Sequence, residues 1–210
     1  MSALLLWIML AGAAPAPASP VGEYRLRDGH EAASELVLKP DGSFEYALAY
    51  GALDEEASGR WRVVGKQVRL TTRPRPVPPV FSAGAARRSG AAPLIVHVTS
   101  PDGRGLPGID LRVEFESGPP IADYTHSDEG WSMDAAERRR PVAVTLSVPI
   151  YGLVSQRFAI DAASANERSF VLTPHDMGRV DFENTALDVA PGKLVMHRGS
   201  SLLDYVREAK

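Results

Sequence analysis

Between Phe44 and Tyr50 the chain alternates without a break. Phe44, Tyr46, Leu48 and Tyr50 fall on one side, and Glu45, Ala47 and Ala49 on the other. Successive side chains of a strand point to opposite faces, so this period of two predicts a half-buried β-strand. The neighbouring segments extend the pattern. Glu35–Lys39 reads as a strand, and Pro40-Asp41-Gly42 as a tight turn. In Gly59–Val64, Trp61 and Val63 face one way and Arg60 and Arg62 the other; Gly65-Lys66 turns the chain, and Gln67–Thr71 returns. Residues 22–72 are therefore expected to form an antiparallel meander with one apolar face. A content of 18 glycines and 17 prolines in 210 residues favours many turns and short strands over long helices.

The character changes at 73–92, where prolines stand at 74, 76, 78 and 79 and small residues follow. Proline removes a ladder donor and holds the chain extended, so this stretch is expected to be a linker. A second block, 93–174, carries Leu94–Val98, Ile109–Phe115, Pro141–Val148, Arg157–Ile160 and Arg168–Leu172 as strands between turn residues, the pattern of a β-sandwich. Residues 175–210 hold another hairpin, Ala186–Val189 and Lys193–His197 about Pro191-Gly192, and a last element at Ser201–Arg207. A meander of four or five strands has open edges, which proteins avoid. The late strands are expected to return and complete it, making the sandwich an insertion; a tail packed on the second block is the alternative. The expected class is all-β: an antiparallel barrel or meander over 19–72, and a sandwich.

The segment MSALLLWIMLAGAAPAPASP reads as a secretory signal over 1–18. Its apolar run is too short for a bilayer span, and Ala16-Pro17-Ala18 fits a cleavage site, although no Lys or Arg precedes the run. No later segment is apolar enough to span a membrane. The expected location is periplasmic or secreted. With no cysteine, disulfides, thiolate metal sites and a cysteine nucleophile are excluded. A net charge of −3 with no basic face argues against a nucleic-acid partner. Arg87-Arg88 and Arg138-Arg139-Arg140 read as solvated loop charges.

Two resemblances rest on short motifs. The run DGRGLPGIDLRV at 102–113, with Ser127-Asp128-Glu129-Gly130-Trp131, VAVTLSV and RSFVLTP behind it, resembles carboxypeptidase-regulatory-like (transthyretin-like) sandwich modules, whose corresponding loop is one residue longer. That resemblance implies a non-catalytic accessory or adhesive module. PDGSFEY and GRWRVVGKQVRL resemble the hairpins of small lipocalin-like barrels, whose interior is filled by side chains or holds one small ligand.

Candidate site residues follow from these readings. Tyr46 and Tyr50, pointing into a barrel, would be polar handles for a small ligand, with Trp61 on the same wall. Tyr124, His126 and Trp131, together in one loop beside acids, would dock an envelope protein or polysaccharide. Asp54-Glu55-Glu56 reads as a solvated turn, not a cation site. The five histidines show no zinc spacing, His126-Ser127-Asp128 are too close in sequence for a triad, and there is no G-x-S-x-G, phosphate loop or dinucleotide motif. No cofactor, metal or catalytic residue is expected. The expected function is non-enzymatic ligand binding in the barrel, with an interaction module as the alternative and a hydrolase as the least favoured reading.

Overall fold

The computed structural model describes residues 19–27, 31–199 and 201–208. The signal-like segment 1–18, His30 and Ser200 lie outside the described residues. In chain order the strands are β1 (Gly22–Leu26), β2 (Ala32–Leu38), β3 (Ser43–Tyr50), β4 (Leu53–Val64), β5 (Gln67–Thr72), β6 (Val80–Arg87), β7 (Ile95–Thr99), β8 (Asp110–Phe115), β9 (Ile121–Tyr124), β10 (Trp131–Ser132), β11 (Pro141–Val148), β12 (Leu153–Val154), β13 (Phe158–Ala159), β14 (Glu167–Thr173), β15 (Thr185–Ala190), β16 (Lys193–Arg198) and β17 (Ser201–Arg207). A short 3-10 turn, Pro149–Tyr151, follows β11.

The protein is all-β. Its barrel closes in the order β1-β17-β16-β15-β5-β4-β3-β2, every neighbour antiparallel. Strands β15–β17 thus supply the wall between β5 and β1. Closure leaves no open edge, which removes the liability of the meander. The inward positions of each strand meet in one core: Leu36, Leu38, Phe44, Tyr46, Val68, Leu70, Leu187, Leu194, Met196 and Tyr205 are all buried in it. The barrel is therefore packed through its middle and is not hollow.

Between β5 and β15 the chain builds two further sheets, β10-β7-β14-β6 and β12-β11-β8-β9 with β13 paired to β11. They share a second core in which Phe81, Val96, Phe170 and Trp131 of one sheet meet Leu111, Val113, Val144 and Phe158 of the other. This is the two-layer arrangement of a sandwich.

The stretch expected to be a linker contains a strand. Val80–Arg87 pairs antiparallel with β14, and Phe81 enters the sandwich core. All four prolines of the stretch, the last of them Pro79, precede the pairing, so nothing interrupts the ladder. Of the basic clusters, Arg87 lies on this strand and binds Glu167 at 2.5 Å, while Arg139 binds Glu137 at 2.6 Å and stacks 4.0 Å above the Phe115 ring.

The segment Asp54-Glu55-Glu56, expected to be a turn, is strand. It belongs to β4, paired to β3 from Leu53 to Arg60. On its other side β5 reaches only Gly59. The connector leaving the sandwich covers the exposed remainder: Glu56 N–H donates to Gly178 O at 2.9 Å and Val180 N–H donates to Glu56 O at 2.8 Å. Gly178 has φ +86°, and a Cβ there would lie 3.0 Å from Asp54 O, so the close approach requires glycine. Further along, Thr72 and Phe182 exchange bonds, and the Thr72 hydroxyl donates to Val180 O at 2.8 Å. Phe182 is thereby driven into the barrel, its ring edge-on to Tyr46 at 5.0 Å.

Candidate functional site at the barrel end

The inward rows of β2, β3, β4, β16 and β17 change from apolar to polar near one end of the barrel. Register places Ser34 opposite Leu48, and Leu48 opposite Glu55. Arg198, the last residue of β16, reaches across to Glu55. Its Nη1 and Nη2 donate to Oε2 and Oε1, each at 2.6 Å, a two-pronged pairing of guanidinium and carboxylate. The Glu55 side chain is 12% exposed and that of Arg198 35%, so the acid lies deeper than the base. Arg198 Nη1 also donates to Tyr46 Oη at 3.1 Å.

A second pair of hydroxyls lies alongside. Ser34 Oγ donates to Ala47 O at 2.7 Å and stands 2.7 Å from Tyr205 Oη. A serine has one hydroxyl proton, so Tyr205 is the donor to Ser34. Burial raises the Tyr205 phenol far above its ordinary value, and the neighbouring Tyr46 pushes it the same way. Burial also raises Tyr46, against the opposing pull of Arg198. Both phenols stay protonated at neutral pH. They act here as hydrogen-bonding groups and not as bases.

This network borders an open cavity of about 810 Å³ lined by Leu26, Ser34, Leu48 and Glu55 and by Tyr151 and Met177 from the inserted part of the chain. A second, of about 510 Å³, shares the lining residues Glu55, Tyr151, Met177 and Gly178 with the first. Glu55 and Arg198 line it together with Pro76, Pro78, Ile150 and Tyr151.

The expected site residues do not stand together. Tyr46 is buried at the heart of the network. Tyr50 is 51% exposed and does not point into the packed interior: it pairs with Leu53 at the β3–β4 turn, one step beyond the last filled layer. Trp61 is six residues along β4 from Glu55, about 20 Å on an extended strand, and its indole N–H donates to Lys39 O at 3.0 Å to close a hairpin. In the sandwich, Trp131 is a core residue, 4% exposed, whose indole N–H donates to Asp123 Oδ2 at 2.8 Å. It cannot reach a partner. Tyr124 and His126 do stand at the surface, with ring centroids 4.5 Å apart. Burial opposes ionisation of Asp123, but the Trp131 indole, the Tyr124 amide and His126 together hold its carboxyl below the ordinary range.

Sequence reasoning missed Ser34, Glu55, Arg198 and Tyr205. The signal available was Glu55 at an inward position once β4 is extended back to Leu53. Among the described residues no group of His, Asp and Glu is arranged to hold a metal ion, and no helix is long and apolar enough to cross a membrane. No protein-family model, curated protein or solved structure matches this chain.

Proposed function

We propose that this protein is an exported, non-enzymatic binding protein that holds a small ligand at the polar end of the barrel. The observation that carries the reading is the network Ser34–Tyr205 and Tyr46–Arg198–Glu55, set beside a cavity of about 810 Å³ whose surface is more apolar than polar, with Arg25, Glu35, Asp54 and Glu56 also in its lining. A concave apolar space with a few convergent polar groups is the usual form of a small-molecule site. The barrel is read as lipocalin-like and the sandwich as transthyretin-like on their turn and hairpin motifs; the closed antiparallel barrel and the two facing sheets support the coarser likeness. Export rests on the leader-like residues 1–18.

Native mass spectrometry of the protein exported in its own host tests this reading. A mass excess that disappears on denaturation is expected. Equal native and denatured masses after gentle purification would overturn it.

A second reading is favoured by one observation, the exposed Tyr124–His126 stack at the end of β9, an edge strand of the sandwich. Stacked rings at a sheet edge suit docking of a polysaccharide or envelope protein. Recovery of a partner from envelope extract should fall with Tyr124→Ala; unchanged recovery would remove this reading.

A further inference from the structure

The geometry points to a small organic carboxylate as the ligand class, seated on Arg198 in the crevice between barrel and sandwich. This rests on the reading of the barrel end as a ligand site.

A guanidinium carries five N–H donors in a planar fork. Arg198 spends one from Nη1 and one from Nη2 on Glu55, and the second from Nη1 on Tyr46. Among the described residues nothing accepts from Nε–H or from the second Nη2–H. Those two lie side by side on the lateral edge of the fork, the edge that takes a carboxylate with two parallel bonds. Glu55 and Tyr46 meanwhile hold the plane of the group, so this edge is oriented before any ligand arrives. Pre-orientation lowers the cost of binding.

The crevice of about 510 Å³ that Arg198 lines is suited to an anion with an apolar body. Arg75 and Arg179 line it too, but both are paired: Arg75 with Asp181 at 2.7 Å and Glu183 at 3.7 Å, Arg179 with Glu56 at 3.3 Å and Asp176 at 3.7 Å. With Glu55, Asp176 and Asp181 opposite Arg75, Arg179 and Arg198 the charged lining is neutral as a whole. The unspent edge of Arg198 is therefore the feature that selects an anion. The remaining walls are rings and short apolar chains: Pro76, Pro78, Tyr151, Ile150 and Val180. Flat rings of proline and tyrosine offer contact area to a flat body without further polar demands.

The same crevice assigns a role to the sandwich. Ile150 and Tyr151 are contributed by the 3-10 turn after β11, so the site is complete only with both parts of the chain in place.

The test uses the full chain and four matched probes, benzoate, benzyl alcohol, benzylamine and phenyl phosphate, followed by the ¹H–¹⁵N resonances of the arginine Nε–H groups and the backbone. Benzoate should produce a saturable shift at Arg198 Nε and around Tyr151, and bind at least about tenfold more tightly than the alcohol or the amine. Arg198→Lys keeps the charge but loses the lateral fork, and should weaken benzoate about tenfold. Tyr151→Ala, on the other sheet system and away from the ion pair, should weaken all aromatic probes alike and serves if Arg198→Lys does not fold. Equal affinity for benzyl alcohol, or tighter binding of phenyl phosphate, would overturn the carboxylate assignment and leave the ligand site standing. No perturbation at the barrel end by any of the probes at millimolar concentration would overturn the site itself.

Discussion

Glu55 and Arg198 are 143 residues apart in sequence and 2.6 Å apart in space. Removing either partner leaves the other charge in a poorly solvated place. Glu55→Ala or Arg198→Ala should cost about 3 kcal/mol, near the lower end for buried pairs because Arg198 keeps some contact with water. Replacing both, as Glu55→Leu with Arg198→Met, should recover all but about 1 kcal/mol, since neither desolvated charge then remains. Urea unfolding of the three variants measures this. A double variant no better than the singles would contradict it.

Ser34 and Tyr205 are coupled in one direction. Tyr205→Phe removes a donor and leaves Ser34 bonded to Ala47 O, so the cost should be about 1 kcal/mol. Ser34→Ala leaves the buried Tyr205 hydroxyl without its partner and also removes the bond to Ala47 O, and should cost more, about 2 kcal/mol. The reverse ranking in denaturant midpoints would show that the proton runs the other way.

Tyr46 and Tyr50 lie two same-face positions apart on β3, with Leu48 between them, and should behave as different kinds of residue. Tyr46 is 3% exposed and packed on Phe182, so Tyr46→Ala should destabilise by about 3 kcal/mol or more. Tyr50→Ala should stay within about 0.5 kcal/mol of the parent. Thermal unfolding of the two variants side by side decides it.

Acid should loosen the sandwich in a defined window. The Arg87 guanidinium, with His97 assisting, lowers the Glu167 carboxyl from an ordinary 4.5 to about 2. Arg139 does the same for Glu137, again to about 2. A carboxyl lowered on folding contributes stability that is fully present above 4.5 and fades as pH falls toward 2. Trp131 reports on this core, and a Trp7→Phe/Trp61→Phe background removes the other two tryptophans. The unfolding midpoint read from Trp131 should drop across that window, and a flat midpoint would show that the two pairs contribute nothing.

Gly59 has no room for a side chain. A Cβ would stand 2.2 Å from Thr71 O and 2.8 Å from Thr72 Cα, both backbone atoms of the partner strand. Gly59→Ala should force β4 from β5 and cost about 2 kcal/mol or more. Gly90, with nothing within 4 Å, is the control, and Gly90→Ala should be neutral within about 0.5 kcal/mol.

Those glycines also show how far the sequence could be read. The alternation from Phe44 to Tyr50 and the hairpin at Gly65-Lys66 are local, and period two with turn chemistry made them legible. The barrel's outline followed from the edges a short meander would leave open. Asp54-Glu55-Glu56 misled because adjacent acids resemble a solvated turn. On a strand they alternate, and the one facing inward is tolerated only because Arg198 meets it from the far end of the chain. No local pattern announces such a partner. Val80–Arg87 misled for the opposite reason: its small residues show no alternation, and it is a strand because β14 offers a ladder. Trp131 looked like a surface anchor beside acids, yet one of those acids, Asp123, is what satisfies its indole inside the core.

The insertion of the sandwich between β5 and β15 has a consequence for the order of assembly. As the chain emerges, β1–β5 can pair with one another but cannot close, because their missing wall is encoded last. The sandwich, made of contacts within its own stretch, can form while that sheet still waits with its apolar face uncovered. Its two connectors are then already tied, Val77 N–H to Asp176 Oδ2 at 2.8 Å and Asp176 N–H to Val77 O at 3.1 Å. The long loop is thereby shortened to the span between those ties, which reduces the entropy lost when β15 reaches β5. The final pairing of β17 with β1 joins the two most distant strands of the barrel, the kind of contact that makes folding slow. The vulnerable species in biogenesis is a half-barrel carrying a finished sandwich.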